Sequence, residues 1–324
     1  MSAVTKTSRP NPEIQFLLDA PPSRERIAIF EGTPWDRAGQ GVIVDTLRLM
    51  PSAKVAPFPI GETWDFPVGS RGTQVRGYRP LAVEGPLPIV VDFHGGGWVY
   101  GSVDTNDQSC RAIANSARCL VFNVGYGLAP ENPFPGPLEE CIEVTQWIID
   151  NAESLGGDPG RIVVSGQSAG GNLAAAVVLH AAETGAFSIT GQVLSYPALD
   201  ATRSLPSHRE NELGYILSAK EMEFYWLAYH QDRVDPETPE LSPLFAADLS
   251  KLPPTIVLTS EFDVLRDEGE AYARRLTEAG VPTMLRRYAG QIHGLLGLGA
   301  VTPDAGHAIS EIGAWLRALF ASEV

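Results

Sequence analysis

Cysteine, cations and long apolar runs are the scarce features of this 324-residue chain. Three cysteines (Cys110, Cys119, Cys141) cannot all pair, and Cys119 borders a strand-like run. Buried thiols in a reducing compartment are therefore expected rather than a disulfide framework. With 24 Lys and Arg against 39 Asp and Glu, the net charge is −15. That argues against a nucleic-acid partner, whose phosphates demand a basic face. The longest apolar stretch, near Leu173 to Ala182, is far shorter than the ~20 residues that span a bilayer, so no membrane contact is expected. No apolar segment follows Met1-Ser2-Ala3-Val4-Thr5-Lys6, so no export signal is read and a cytoplasmic location is expected. The six histidines show no metal-ligand spacing. Dinucleotide and P-loop glycine patterns are missing too, so neither a metal nor a cofactor is expected.

What the chain does have is glycine around a serine. Gly166-Gln167-Ser168-Ala169-Gly170 follows the β-branched run Arg161-Ile162-Val163-Val164-Ser165 and precedes the Ala- and Leu-rich segment Gly171 to His180. A serine between glycines on a strand-to-helix turn is a nucleophile elbow, in which close-passing backbones force the Ser168 Oγ outward. The plain alternative is a glycine-rich turn with Ser168 capping the helix. A second strand-like run, Leu87 to Phe93, leads into His94-Gly95-Gly96-Gly97-Trp98. Acyl transfer develops negative charge on a carbonyl oxygen, and fixed backbone N–H groups stabilise it. The glycines allow such an approach, and the N–H of Ala169 is the matching donor. His94 precedes these glycines and reads as an anchor of their loop rather than as the base.

A base and an orienting acid are then required, in the chain order Ser, acid, His. His293 lies in the Gly-flanked loop Ala289 to Gly294, after the strand-like Thr283 to Tyr288. Asp263 ends the strand-like Thr255 to Phe262. Asp267 and Glu268 open the next helix, where carboxylates are common. Asp200, after the strand-like Gln192 to Tyr196, is the alternative acid.

These motifs together resemble the hormone-sensitive-lipase-like esterases, the bacterial family IV of the α/β-hydrolases. The resemblance also takes in Tyr126-Gly127-Leu128-Ala129-Pro130-Glu131, Gly157-Asp158-Pro159, Ser242-Pro243-Leu244 and Asp263-Val264-Leu265-Arg266-Asp267-Glu268, and it covers most of the chain from about Arg76 to Trp315. It implies Ser168 as nucleophile, Asp263 as acid and His293 as base, with the N–H groups of Gly96, Gly97 and Ala169 as oxyanion hole. It also implies that Trp98 borders the acyl pocket, with Tyr196 near it. The chain departs from the family pattern at Gln167 (usually Asp), Gly127 (usually Arg) and Val264 (usually Pro). The first two remove a carboxylate and a cation, and are read as a pair that changed together. These departures bear on loop rigidity and pH dependence rather than on reaction class.

With 44% hydrophobic residues the chain can build one large core. Strands read at Thr73–Tyr78, Pro88–Phe93, Leu120–Val124, Ile162–Ser165, Gly191–Tyr196, Thr255–Ser260 and Met284–Tyr288. Helices alternate with them, such as Leu138–Asn151, Glu268–Ala279 and Ala308–Phe320. That alternation implies an α/β fold with a mostly parallel sheet and helices on both faces. The resemblance adds a helical cap of residues 1–50 and 201–249 over a catalytic core of residues 51–200 and 250–324, the whole forming one structural unit. Ala219 to His230, rich in aromatics, belongs to that cap, and no single ring among Phe224, Tyr225, Trp226 and Tyr229 can be assigned to substrate. The expected activity is a serine carboxylesterase acting on small-molecule, short-chain acyl esters. Lactonase, amidase and small-molecule deacetylase readings share the same machinery. A non-catalytic receptor on this fold is the alternative of another class. By resemblance, a homodimer through the last strand, Thr283 to Tyr288, is expected, since sheet edges invite pairing.

Overall fold

The apolar runs become the inner strands of one eight-stranded sheet in a computed structural model that describes residues 9–20, 30, 37–49 and 56–322. The strands are β1 (Glu62–Val68), β2 (Thr73–Arg79), β3 (Leu87–Phe93), β4 (Leu120–Gly125), β5 (Gly157–Gln167), β6 (Gly191–Ser195), β7 (Thr255–Phe262) and β8 (Thr283–Ile292). Their order is β1-β2-β4-β3-β5-β6-β7-β8. β1 and β2, and β2 and β4, pair antiparallel, while every pair from β4 to β8 is parallel. Every residue of β3, β6 and β7 is buried, as expected for parallel strands covered on both faces.

Helices α1 (Pro12–Asp19), α2 (Arg37–Leu49), α3 (Asp107–Ala117), α4 (Gly136–Asp150), α5 (Ala169–Thr184), α6 (Ser207–Glu210), α7 (Ala219–His230), α8 (Arg266–Glu278) and α9 (Pro303–Ala321) complete the described chain. α5 is buried along nearly its whole length, which its Ala, Val and Leu content allows, and Gly185 ends it in the left-handed region at φ 67°. In α7, Ser218 and Glu221 form a reciprocal capping box.

Among the elements that went unread in the sequence are β1 and α3. β1 carries Pro67 and is exposed along much of its length because it is an edge strand. α3 starts on a polar turn, Asp107-Gln108-Ser109, and buries only one face. His307, read at or before the start of the last helix, lies inside α9. All three cysteines are buried free thiols. Among the described residues no helix is long and apolar enough to cross a membrane.

Described parts of residues 1–50 and 201–249 touch one another and the carboxyl ends of the parallel strands. Phe30 meets Phe224 and Tyr225 edge-on, with ring centroids 5.9 and 6.1 Å apart. From α2, Arg48 Nε–H donates to Val99 O and Nη2–H to Ala129 O, both at 3.0 Å, and its guanidinium pairs with Glu131. α1 buries Ile14 and Leu18 against Phe262 and Ile292. The remainder of residues 1–50 expected in the cap lies outside the described residues.

Candidate active site

The turn between β5 and α5 is possible only with glycine on both sides of the serine. A Cβ on Gly166 would lie 2.0 Å from Gly170 O, and one on Gly170 would lie 1.9 Å from Phe93 O. With those contacts fixed, Ser168 adopts φ 56°, ψ −119°, a conformation that L-residues rarely adopt. Its N–H donates to Ser195 O (2.9 Å), and its O accepts from Ala198 N–H (3.2 Å), so the strained turn is held from the end of β6 and the loop after it.

His293 Nε2 stands 2.9 Å from Ser168 Oγ, and His293 Nδ1 stands 2.7 Å from Asp263 Oδ2. A carboxylate only accepts, so Nδ1 carries the proton and Nε2 faces the serine hydroxyl as an acceptor. Asp263 is held in turn. Its Oδ1 accepts from Leu265 N–H (2.9 Å) and its backbone O from Asn211 Nδ2 (2.9 Å). Ser207 Oγ–H donates to Val264 O (2.6 Å), so side chains of α6 and its C-cap secure the acid turn that lacks the family's proline.

Asp200, the alternative acid, points elsewhere. Its carboxylate accepts from the N–H and O–H groups of Thr202 and Ser204 and closes its own turn. Glu268 is buried and pushed up to about 7, chiefly by burial; its Oε2 accepts from Leu199 and Asp200 N–H, both at 2.6 Å. His94 is buried and stacked on Tyr126 at 4.2 Å, its Nδ1 is 2.8 Å from Gly95 O, and burial lowers its pKa to about 4. Its bonding partners are those of a loop anchor.

A cleft of about 190 Å³ opens above Ser168, walled by Gly95, Gly96, Gly97, Gln167, Tyr196 and His293. Tyr100, Ile216, Leu217 and Tyr225 complete its apolar side. Gly96 and Gly97 have φ 123° and 58°, which turns the loop back on itself so that Gly96 O accepts from Val99 and Tyr100 N–H (3.0 Å each). Ala169, first residue of α5, follows the serine directly.

Trp98 departs from expectation. It is wholly buried behind the loop, stacked on Tyr229 (4.5 Å, 3°) and tilted against Trp226 (4.4 Å), and it takes no part in the cleft wall. The positive φ of 60° at Trp98 turns its side chain toward α7. Tyr196 does line the cleft with its ring, while its hydroxyl bonds to Gln167. The departures at positions 167 and 127 also do not meet. Gln167 bonds Tyr196 and Asn106, whereas Gly127 N–H donates to Glu140, which also receives Thr73, Asn132 and Arg71. In this structure they belong to separate networks.

Tyr225 and Leu217 went unassigned in the sequence because only the packing of the inserted segment decides which of its side chains line the cleft. Among the described residues no group of three His, Cys, Asp or Glu side chains converges in a way that could hold a metal ion.

The α/β-hydrolase-fold family profile matches residues 90–297. Carboxylesterase NlhH of Mycobacterium tuberculosis is 36% identical over 316 residues, 96% of this chain and 97% of that protein. An arylesterase of Saccharolobus solfataricus is 38% identical over 276 residues, 83% of this chain and 87% of that one. Among solved structures, an ester-hydrolase from the Lake Arreo metagenome, in complex with a bipyridine phosphonate derivative, superposes with a TM-score of 0.86 at 37% identity. It covers 96% of this chain and 99% of that one. The chain belongs to the α/β-hydrolase fold family, within its hormone-sensitive-lipase-like group of serine carboxylic ester hydrolases.

Proposed function

We propose that the protein hydrolyses short-chain acyl esters through Ser168, His293 and Asp263 and an acyl-enzyme intermediate. The observation that carries this reading is the unbroken path of 2.9 Å and 2.7 Å from Ser168 Oγ through the imidazole to Asp263. As Ser168 Oγ attacks the ester carbonyl carbon, His293 Nε2 takes its proton, and Asp263 steadies the resulting imidazolium. The N–H groups of Gly96, Gly97 and Ala169 hold the oxyanion. The imidazolium then gives its proton to the alcohol oxygen as the C–O bond breaks. Water, deprotonated by His293, attacks the acyl-enzyme and releases the acid, with the proton returning to Ser168.

No cofactor takes part, and the partner is a small-molecule ester, with the cytoplasm as the expected setting. Residues 1–50 and 201–249 act as a cap over the core of residues 51–200 and 250–324. Support comes from Ile216, Leu217 and Tyr225, which bring the inserted segment to the cleft wall.

A cleft this small favours short acyl groups, because a long chain must displace packed side chains at ~1–3 kcal/mol or more. A series of p-nitrophenyl esters below the micelle threshold tests the reading. The highest kcat/KM is expected at roughly two to six acyl carbons. A maximum at about twelve or beyond, or activation at an oil–water interface, overturns it.

A further inference from the structure

Beneath the elbow runs a row of buried polar side chains that the triad does not use. Tyr196 O–H donates to Gln167 Oε1 (2.6 Å), Gln167 Nε2–H to Asn106 Oδ1 (2.7 Å), and Asn106 Nδ2–H to Asp92 Oδ2 (2.5 Å). All four side chains are buried. Every donor points the same way, from a hydroxyl at one end to a carboxylate at the other. Asp92 dictates that direction. A carboxylate only accepts, so Asn106 must offer it an N–H and show its carbonyl to Gln167, which must then show its own carbonyl to Tyr196. Burial pushes Asp92 up to about 6, with hydrogen bonds from Ser165 and Asn106 pulling it back.

The row touches each piece of the catalytic machinery. Asp92 sits in β3 just before the glycine loop, and Gln167 directly precedes Ser168. The Tyr196 hydroxyl also accepts from Leu296 N–H (3.3 Å), in the turn that follows His293. Its ring meets the His293 ring edge-on, with centroids 5.0 Å apart at 68°.

We propose that Tyr196, Gln167 and Asn106 are positioning residues: a one-way hydrogen-bonded row, anchored on the Asp92 carboxylate, that holds the His293 loop in register with the nucleophile elbow. The role rests on Ser168 and His293 acting as nucleophile and base. It also accounts for the amide at position 167. A carboxylate there accepts the tyrosine hydroxyl but has no N–H for Asn106, and it sets a second negative charge against Asp92. An amide accepts and donates at once, so it completes the row. The titratable groups facing the row are Asp92, Cys110 and Tyr126 at one end and Asp263 and His293 at the other.

The test is a double-mutant cycle on p-nitrophenyl butyrate, with kcat counted per Ser168 titrated by a fluorophosphonate, so that misfolded molecules drop out. Tyr196→Phe and Gln167→Met are each expected to lower kcat about tenfold with KM within about twofold, and the double variant to fall no further than about tenfold, because the two changes break one row. Gln167→Glu, nearly isosteric, is expected to lower kcat and to move the acidic limb of kcat/KM to higher pH, since an added carboxylate favours the imidazolium of His293. Parent-like kcat in Tyr196→Phe with Ser168 labelled normally overturns the row alone. So does a fully multiplicative loss in the double variant, or a change confined to KM. Labelling at a residue other than Ser168 overturns the triad reading, and the row with it.

Discussion

The ring of Tyr225 lies directly on Gly97: a Cβ added to that glycine would sit 2.4 Å from the ring. Helix α7 thereby presses on the loop assigned to the oxyanion, and Phe30 backs the same ring from the N-terminal segment. Gly97→Ala is expected to lower kcat by about 10²-fold by displacing an oxyanion donor. Tyr225→Ala removes the atoms that the new methyl group meets, so the double variant is expected to regain about tenfold over Gly97→Ala. Steady-state kinetics on one short ester decide this. No recovery in the double variant contradicts the assigned contact.

Asp263 directly follows β7 and Asp200 lies in the loop after β6, but only Asp263 faces the imidazole. Asp263→Asn is expected to lower kcat by roughly 10⁴, because an amide N–H facing Nδ1 favours the wrong tautomer. Asp200→Asn disturbs only a local turn and is expected to cost activity less than about tenfold. Side-by-side kinetics that reverse this ranking move the acid to the earlier strand.

The parts of the fold that could be read from the chain are those with local causes. The mostly apolar Leu87–Phe93 and the glycine-bracketed Ser168 carry their strand and turn in adjacent residues. Asp263 and His293 follow because the ends of parallel strands meet on one side of such a sheet. Trp98 misled because the rings it packs on, Trp226 and Tyr229, arrive from a distant insertion. β1 was obscured by Pro67, which an edge strand tolerates and an inner one does not. Tyr196 and Asn106, the partners of Gln167, come from the end of β6 and the turn before α3, and no local pattern announces them.

His94 supplies a pH signature. Burial lowers its pKa from 6.5 to about 4, with the hydrogen bond to Gly95 working the other way. The neutral imidazole therefore contributes stability that is full above pH 6.5 and is lost as pH falls through about 4. His94→Phe keeps an aromatic ring beside Tyr126 but cannot titrate. Its unfolding free energy, from urea melts, is expected to depend less steeply on pH over that window, by up to about one proton. Asp92, raised to about 6, acts in the opposite sense but is common to both proteins. Equal slopes contradict the account.

β8 ends the sheet, and Asn11 N–H bonds to Gly290 O (2.9 Å) near its far end. Arg286 and Arg287 are paired with Glu311 and Glu270, which tempers their charge at this edge. We expect a second copy to pair along Thr283–Tyr288. Light scattering across micromolar concentrations should then give twice the chain mass, and a monomer throughout contradicts this.

The catalytic reading turns on Ser168 as the nucleophile. The direct measurement is the turnover of p-nitrophenyl butyrate by Ser168→Ala beside the parent, each checked for folding by its melting transition. The account predicts an unchanged fold and a loss on the order of 10⁶ in kcat. Activity within about tenfold of the parent contradicts it, because no other group described here could then be carrying the acyl chain.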